Sequence, residues 1–167
     1  MSAIAPLERC LILDLKGRTS GTEVPTKSDF ISRVGREIGC PVYLPARPWL
    51  AQDDVTHLLL EMKRAPENID RGCLLVAGAY LEDQVTAYSL QALAEGFDVY
   101  LLTDMVVARQ ESSARALEFR LFQAGVVPST MLQFLCLWRA AESDEARLAK
   151  LKQLLTDYHI LQSYRSN

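Results

Sequence analysis

Short apolar runs alternate with amphipathic stretches along this chain, and that alternation predicts strands of a mainly parallel sheet with helices packed on its faces. The apolar runs predict strands at 10–15, 41–44, 73–78, 97–103 and 126–130. Pro128 in the last run cannot donate to a strand ladder, so this strand is expected at an edge. The predicted fold class is α/β, with three αβα layers around an open, mostly parallel sheet of about five strands.

The amphipathic stretches predict the helices that connect these strands. A polar loop at 16–27 leads to the first helix, which Ser28 or Asp29 is expected to cap. The second helix is expected to begin near Asp53, because apolar residues from there on recur at helical spacing. Two more helices are predicted at about 83–95 and 111–123, each ending at a glycine.

The C-terminal part is predicted to be helical throughout. The stretch 131–141 is apolar almost all round, and a long helix is expected to start at Ser143. This long helix, 143–163, is interpreted as an appendage of one single domain covering 1–167. Its apolar stripe predicts either docking onto its own domain or a subunit interface, and it supports a homo-oligomer, a dimer or larger. The stripe consists of Leu148, Leu151, Leu155, Tyr158 and Leu161.

Charge and composition exclude several classes of protein. Eighteen Lys and Arg against 21 Asp and Glu give a net charge of -3, whereas broad nucleic-acid binding needs clustered basic residues. No apolar run approaches the roughly 20 residues that span a bilayer, and residues 1–7 do not resemble a signal peptide. We therefore expect no nucleic-acid partner, no membrane association and a cytoplasmic location.

The cysteines and histidines predict no metal site. Four cysteines are scattered without a C-x-x-C pair, which favours buried thiols in a reducing compartment over zinc ligands. The sequence also lacks G-x-G-x-x-G, G-x-x-x-x-G-K-[ST], G-x-S-x-G and H-E-x-x-H motifs. We expect no cofactor. The cysteines are Cys10, Cys40, Cys73 and Cys136.

Candidate chemistry lies where predicted strands end, since ligands of open parallel sheets bind outside the carboxyl ends of the strands. The first strand brings Asp14 to this edge, the third brings 80–84, and the fourth ends at Asp104. Backbone N–H groups around Gln84 would suit an oxyanion hole at a helix start. Structural roles are also open: Asp14 could cap a loop, Asp104 could cap a turn, and Glu82 could complement a helix dipole.

The segment 75–100 resembles the central block of the isochorismatase-like hydrolases, which have a Rossmann-like sheet. In that block an apolar strand ends in Gly, a short polar turn precedes Cys-Val, and a helix leads to Gly-Tyr-Asp-Val. The resemblance covers roughly residues 8–138, and residues 11–14 look like the family's first strand with its catalytic aspartate. The matching residues are Gly78, Val85, Ala92, Leu93, Gly96, Asp98, Val99 and Asp104.

This resemblance implies a site that has changed. The family's mechanism uses Asp, Lys and Cys, with a thiolate that attacks a carbonyl or imine carbon. Asp14 matches the aspartate, but Gln84 occupies the cysteine position. The strand that ends in the family's lysine is missing, and the nearest cations, Lys16 and Arg47, do not match that lysine in register. The candidate catalytic residues are Asp14 and Gln84, and the candidate binding residues are Arg47, Trp49, Tyr80, Leu81 and Glu82.

Three functional hypotheses follow. The favoured one is a non-catalytic relative that serves as a scaffold, a ligand-binding protein or a regulator, with a small molecule as its ligand. The alternative is a hydrolase in which Asp14 acts as the general acid for vinyl-ether or C–N cleavage, with Gln84 orienting substrate or water. The third is an unrelated ligand on a generic doubly wound fold. Whether the chain is an enzyme stays open at this point.

Overall fold

A five-stranded parallel sheet forms the centre of the fold in the computed structural model, which describes residues 5–15, 23–45 and 52–163. The strand order is β2-β1-β3-β4-β5, and every neighbouring pair is parallel. The predicted five strands and the edge position of the last one are confirmed. The strands are β1 (Cys10–Leu15), β2 (Val42–Tyr43), β3 (Cys73–Ala79), β4 (Asp98–Val107) and β5 (Val127–Ser129).

Helices cover both faces of this sheet, which confirms the three-layer αβα architecture. One face packs against α1, α5 and α6, and the other against α2, α3 and α4. No helix in the described ranges is long and apolar enough to cross a membrane. The helices are α1 (Glu23–Ile38), α2 (Gln52–Arg64), α3 (Thr86–Ala94), α4 (Glu111–Ala124), α5 (Met131–Ala141) and α6 (Glu145–Ser163).

Alternation along β1 divides the core in two, since neighbouring side chains of a strand point to opposite faces. Cys10 and Ile12 join the core under α1, α5 and α6, whereas Leu11 and Leu13 join the core under α2 and α3. Asp14 has the parity of Ile12. Its carboxylate is therefore on the face covered by α1, inside a strand with no exposed residue.

The start of α1 differs from the prediction. The helix begins at Glu23, so Ser28 is not its cap but lies one turn and more inside it. Pro25 is compatible with this start, because the N–H groups of a first helical turn have no partner within the helix. The earlier start brings Lys27 and Ser28 onto the buried face of α1, where both are almost fully covered.

The stretch predicted as the start of α3 is also different. Residues Leu81–Val85 form one π-helical turn, and the α-helix itself runs only from Thr86 to Ala94. The turn is closed by a hydrogen bond from the Val85 N–H to the Tyr80 carbonyl. Single π turns are rare and occur often at functional sites.

Strand β4 is longer than predicted and contains an irregularity. Val76 pairs with Leu101, an offset of 25 residues, but Gly78 pairs with Val106, an offset of 28. Three extra residues of β4 are thus accommodated between these pairs, a bulge that bends the strand. For this reason Asp104 does not end the strand, as predicted, but lies inside it.

The long C-terminal helix α6 packs on its own chain. Leu151, Leu154, Leu155 and Tyr158 are buried in the core shared with α1 and α5. Of the two alternatives for the apolar stripe, the structure thus shows docking onto its own domain. The apolar side of α5 is buried in the same core, so neither helix offers its main apolar face to another subunit.

Candidate functional site

Asp14 is the central acid of the carboxyl edge of the sheet. Its residue is 0% exposed, and its Oδ2 accepts a hydrogen bond of 2.6 Å from the Ser28 hydroxyl. A buried carboxylate is costly unless it is hydrogen-bonded or paired, and Ser28 supplies one such bond from α1. Sequence analysis placed Asp14 in the candidate site but assigned Ser28 to a helix cap.

Lys27 is a second buried charged residue at this edge, and sequence analysis did not include it among the site residues. It is 3% exposed, and its Nζ lies 3.4 Å from the Val106 carbonyl oxygen of β4. Val106 pairs with Gly78 of β3, and Gly78 pairs with Leu15 of β1, the neighbour of Asp14. The ammonium group and the Asp14 carboxylate therefore both lie near the carboxyl ends of the three central strands.

A sequence signal for Lys27 exists in retrospect. Lys27 precedes Ile31 by four residues and Val34 by seven, so it lies on the same helical stripe as the apolar residues of α1. Lysine is almost never fully buried without a partner. A lysine in register with an apolar stripe is therefore a candidate site residue, provided that the helix begins before it.

Gln84 lies in the π-helical turn that follows β3, and it is half-buried. The turn begins directly after the carboxyl end of β3, beside β1 and β4. Within the turn, the N–H groups of Asp83 and Val85 both donate to the Tyr80 carbonyl. The neutral amide can donate and accept hydrogen bonds but cannot act as a nucleophile.

Close packing of β1 against β3 positions this turn. Gly78 has φ +113°, and a Cβ at this position would lie 2.2 Å from the Leu15 carbonyl oxygen. Only glycine fits here, because it accepts positive φ and lets the two backbones approach. Leu81, the first residue of the turn, is 1% exposed in the core under α2, α3 and α4. Its side chain serves as an anchor for the turn.

Two other residues of the predicted binding set contact the segment between β4 and α4. The Arg109 guanidinium lies 4.6 Å from the centre of the Tyr80 ring and 2.6 Å from the Asp83 carboxylate. Glu82 accepts hydrogen bonds from the N–H groups of Arg109 and Gln110 and from the Ser113 hydroxyl, each at 3.0 Å. Together these contacts fix the π-helical turn against the start of α4.

The Glu82 carboxylate is ionised by this environment. Burial acts to raise its pKa, but the hydrogen bonds from Arg109 and Gln110 outweigh that effect, and the pKa lies below its ordinary value. Because the pKa is lowered on folding, this bond network stabilises the folded chain above the ordinary glutamate pKa and is lost as the pH falls through the lowered one. Arg47 and Trp49, also predicted to bind, lie outside the described residues, as does Lys16.

The Asp104 carboxylate has structural hydrogen-bond partners on two helices. Its carboxylate accepts hydrogen bonds from the Met131 N–H at 2.9 Å and from the Tyr158 hydroxyl at 2.7 Å. Thr130 caps the start of α5, where its side chain accepts a hydrogen bond from the Gln133 N–H. Asp104 thus joins the start of α5 to α6, consistent with its interpretation as a capping residue, although it caps a helix and not a turn.

None of the four cysteines lies at the carboxyl edge. Cys10 and Cys73 are the first residues of β1 and β3, and Cys40 precedes β2. Burial raises the pKa of all three thiols, that of Cys40 to about 12, so they do not form thiolates at neutral pH. Cys136 is exposed on α5. In the described ranges no group of three or more His, Cys, Asp or Glu side chains could hold a metal ion.

The edge therefore combines a buried carboxylate, a buried amine and a half-buried amide. Asp14 can accept hydrogen bonds, Lys27 can donate them, and Gln84 can do both. This set suits recognition of a small polar group, such as an amide or a carboxylic acid. It supplies no nucleophile of the kind that forms covalent acyl intermediates by a thiolate.

Comparisons by sequence give few relatives. No protein-family model matches the sequence. A curated relative, ribosomal RNA small subunit methyltransferase J of Histophilus somni (strain 129Pt), is 32% identical over 111 residues. The match covers 62% of this chain and 42% of the relative, so the chain spans less than half the length of the relative. The protein from strain 2336 matches to the same extent.

Comparisons by structure give neighbours over nearly the whole chain. The MAR1 ribonuclease from Caenorhabditis elegans has a TM-score of 0.65 at 13% identity, covering 92% of this chain and 93% of that one. The YcaC gene product from Escherichia coli, an octameric hydrolase of unknown specificity, has a TM-score of 0.61 at 21% identity, with 97% and 96% coverage. YcaC from Pseudomonas aeruginosa, solved with covalent acrylamide, has a TM-score of 0.61 at 18% identity, with 98% and 97% coverage. The chain accordingly has the fold of the isochorismatase-like hydrolases.

Proposed function

We propose that this chain is an isochorismatase-like protein without cysteine-hydrolase activity, and that it binds a small polar molecule at the carboxyl edge of its sheet. The observation that carries this proposal is that the carboxyl edge of the sheet has buried charged residues but no cysteine. Asp14 and Lys27 are buried at the edge, whereas all four cysteines lie elsewhere. Gln84 stands at the position where the resemblance expects the nucleophile.

The chemistry of the three residues suggests the class of ligand. A ligand with an N–H donor and a carbonyl acceptor would satisfy the Asp14 carboxylate, the Lys27 ammonium and the Gln84 amide together. Small carboxamides have these groups. Without a thiolate, a bound carboxamide would form no covalent acyl intermediate. Binding without turnover is the function that this arrangement supports best, and it suits a sensing or regulatory role.

Acrylamide labelling tests the position of Gln84. In a Cys136→Ser background, which removes the exposed thiol, we expect no acrylamide adduct under native conditions. Adding Gln84→Cys is expected to give one adduct by intact-mass spectrometry. The reaction should be about tenfold faster than at Gln91→Cys on α3, since the pKa of a thiol is lowered at the start of a helix and not inside one. An unmodified Gln84→Cys variant, or one no faster than Gln91→Cys, would place residue 84 outside the site.

Amide turnover tests the lack of activity. The unsubstituted chain is expected to release no ammonia from small carboxamides above the rate of an Asp14→Asn control. Ammonia release that disappears in Asp14→Asn would overturn the proposal and support acid catalysis by Asp14 instead.

We also propose that the chain forms homo-oligomers through α4 and not through α5 or α6. Phe119 and Phe122 of α4 are 60% and 59% exposed, and Leu90 of the adjacent α3 is 44% exposed. Adjacent exposed aromatic residues are typical of interaction surfaces. The octameric state described for YcaC from Escherichia coli supports this proposal.

Light scattering after size-exclusion chromatography tests the assembly. We expect a mass that is a multiple of 18.7 kDa. Phe119→Ser with Phe122→Ser should shift the mass toward one chain, whereas Ile69→Ser, which changes a residue 82% exposed elsewhere, should not. A monomer for the unsubstituted chain would contradict the proposal.

Binding of RNA is not part of this proposal. Some similar proteins have RNA-related names, a methyltransferase for ribosomal RNA and a ribonuclease. The net charge of -3 gives no basic excess for phosphate binding. The sequence also lacks the glycine pattern that typically cradles a dinucleotide cofactor. The absence of nucleic-acid partners and of cofactors stays a prediction, as does a cytoplasmic location.

A further inference from the structure

A separate pocket lies at the amino-terminal edge of the sheet, the edge opposite to Asp14 and Lys27. Its volume is about 320 Å³, at the small end of the roughly 300–1,000 Å³ typical of ligand sites. Its walls come from the segment before β1, the first residues of β3 and β4, the end of α4 and β5. A pocket of this size accepts a molecule as large as an amino acid.

Two opposite charges line this pocket. Arg9 and Asp98 are both exposed, and neither makes an ion pair with another described residue. Cys73 is close to both charged groups: its Sγ is 4.0 Å from the Asp98 carboxylate. Burial raises the pKa of its thiol, the Arg9 charge acts to lower it, and the Asp98 charge acts to raise it. Arg9 and Asp98 therefore lie at the same pocket without neutralising each other.

Apolar side chains also line part of the pocket. Leu93, Phe97 and Val127 line it, together with the ring of Tyr100. Gly125 contributes only backbone, and a Cβ at that position would lie 4.0 Å from the Leu93 side chain. An apolar group of a ligand can therefore contact side chains that are part of the core, while its polar groups remain at the charged rim.

We propose that this pocket binds a small zwitterion with an apolar side group, the chemistry of a free apolar amino acid. The Arg9 guanidinium binds the ligand carboxylate, for which its planar fork is suited. The Asp98 carboxylate binds the ligand ammonium, and the Leu93 and Phe97 wall contacts the apolar side group. This site is independent of the one at the carboxyl edge, and it is assigned on its own residues.

Titration of the ¹⁵N-labelled chain with L-leucine tests the site. We expect saturable shifts at the amides of Arg9, Asp98 and Gly125 and none at Lys27 or Gln84. Leucine without its carboxylate is 3-methylbutylamine, and leucine without its ammonium is 4-methylpentanoate. Each is expected to bind about tenfold more weakly, since each loses one charge-assisted hydrogen-bonded contact.

Variants connect each charge to its partner on the ligand. Arg9→Gln should weaken leucine binding about tenfold but leave binding of 3-methylbutylamine unchanged, because that amine has no carboxylate to lose. Asp98→Asn should also weaken leucine binding about tenfold, but it should leave binding of 4-methylpentanoate unchanged, because that acid has no ammonium group to lose. Arg36→Gln, an exposed arginine on α1, is the control. Equal binding of leucine and both analogues, or no saturable shift at the pocket, would overturn the proposal.

These outcomes are distinct from a failure of the proposed function. Shifts confined to Lys27 and Gln84 would assign leucine to the carboxyl edge and would leave the amino-terminal pocket without a role. Both variants change exposed side chains, so thermal unfolding by circular dichroism should match the unsubstituted chain.

Discussion

Replacing Gly78 by alanine is expected to lower the free energy of unfolding by about 4 kcal/mol or more, a large part of the roughly 5–15 kcal/mol that stabilises a domain. The added Cβ would lie 2.2 Å from the Leu15 carbonyl oxygen and 2.6 Å from the Leu15 nitrogen. Backbone atoms of a central strand cannot move aside as a flexible side chain can. The φ of +113° adds strain for any residue with a Cβ.

Gly39→Ala separates these two effects. Gly39 also has a positive φ, +75°, but nothing lies within 4 Å of the place where its Cβ would be. Gly39→Ala should therefore lower the free energy of unfolding only by the conformational strain, about 1–2 kcal/mol. Urea unfolding followed by circular dichroism measures both variants. Equal losses of stability would show that β1 and β3 do not approach as closely as described.

Replacing Asp104 by alanine is expected to destabilise the chain by about 3 kcal/mol, since hydrogen bonds to a charged group contribute about 1.5–3 kcal/mol and two buried residues lose their bond to this carboxylate. The Met131 N–H and the Tyr158 hydroxyl would both lose their acceptor. Asp104→Asn keeps one carbonyl oxygen and should lose about half as much. Thermal unfolding gives the comparison.

A double-mutant cycle tests whether Asp104 joins α5 to α6. Tyr158→Phe removes only the hydroxyl group and should cost about 1 kcal/mol. If the two residues interact as described, Asp104→Ala with Tyr158→Phe should cost less than the sum of the single changes. Strict additivity would show that the 2.7 Å contact contributes nothing.

The fold could be predicted because its pattern is local. Apolar runs such as 10–15 and 73–78 are the buried strands themselves, and glycines after helices end them as expected. The edge position of β5 followed from the missing N–H of Pro128. These features depend on a few neighbouring residues, so a single sequence contains enough information.

The site could be predicted only in part because it depends on contacts between distant segments. Asp14 was placed at the carboxyl edge because strand ends are visible in the sequence, and its role stays a prediction. Lys27 was missed, because its burial depends on a helix that begins at Glu23, before the residue that suggested a cap. Asp104 was expected at the edge, because a bulge of β4 leaves no clear pattern. Gln84 was located by resemblance, and its role stays a proposal.

The contact between Lys27 and Val106 has a consequence for the order of folding. The two residues are 79 positions apart in the chain, and closing so long a loop costs entropy that only later contacts repay. An ammonium group cannot be buried cheaply before its partner carbonyl is present. We therefore expect the Lys27 contact to form only after β4 has joined the sheet, so a nascent chain that ends before residue 106 should lack it. If this edge binds the proposed ligand, binding would report that β4 has been synthesised and has joined the sheet.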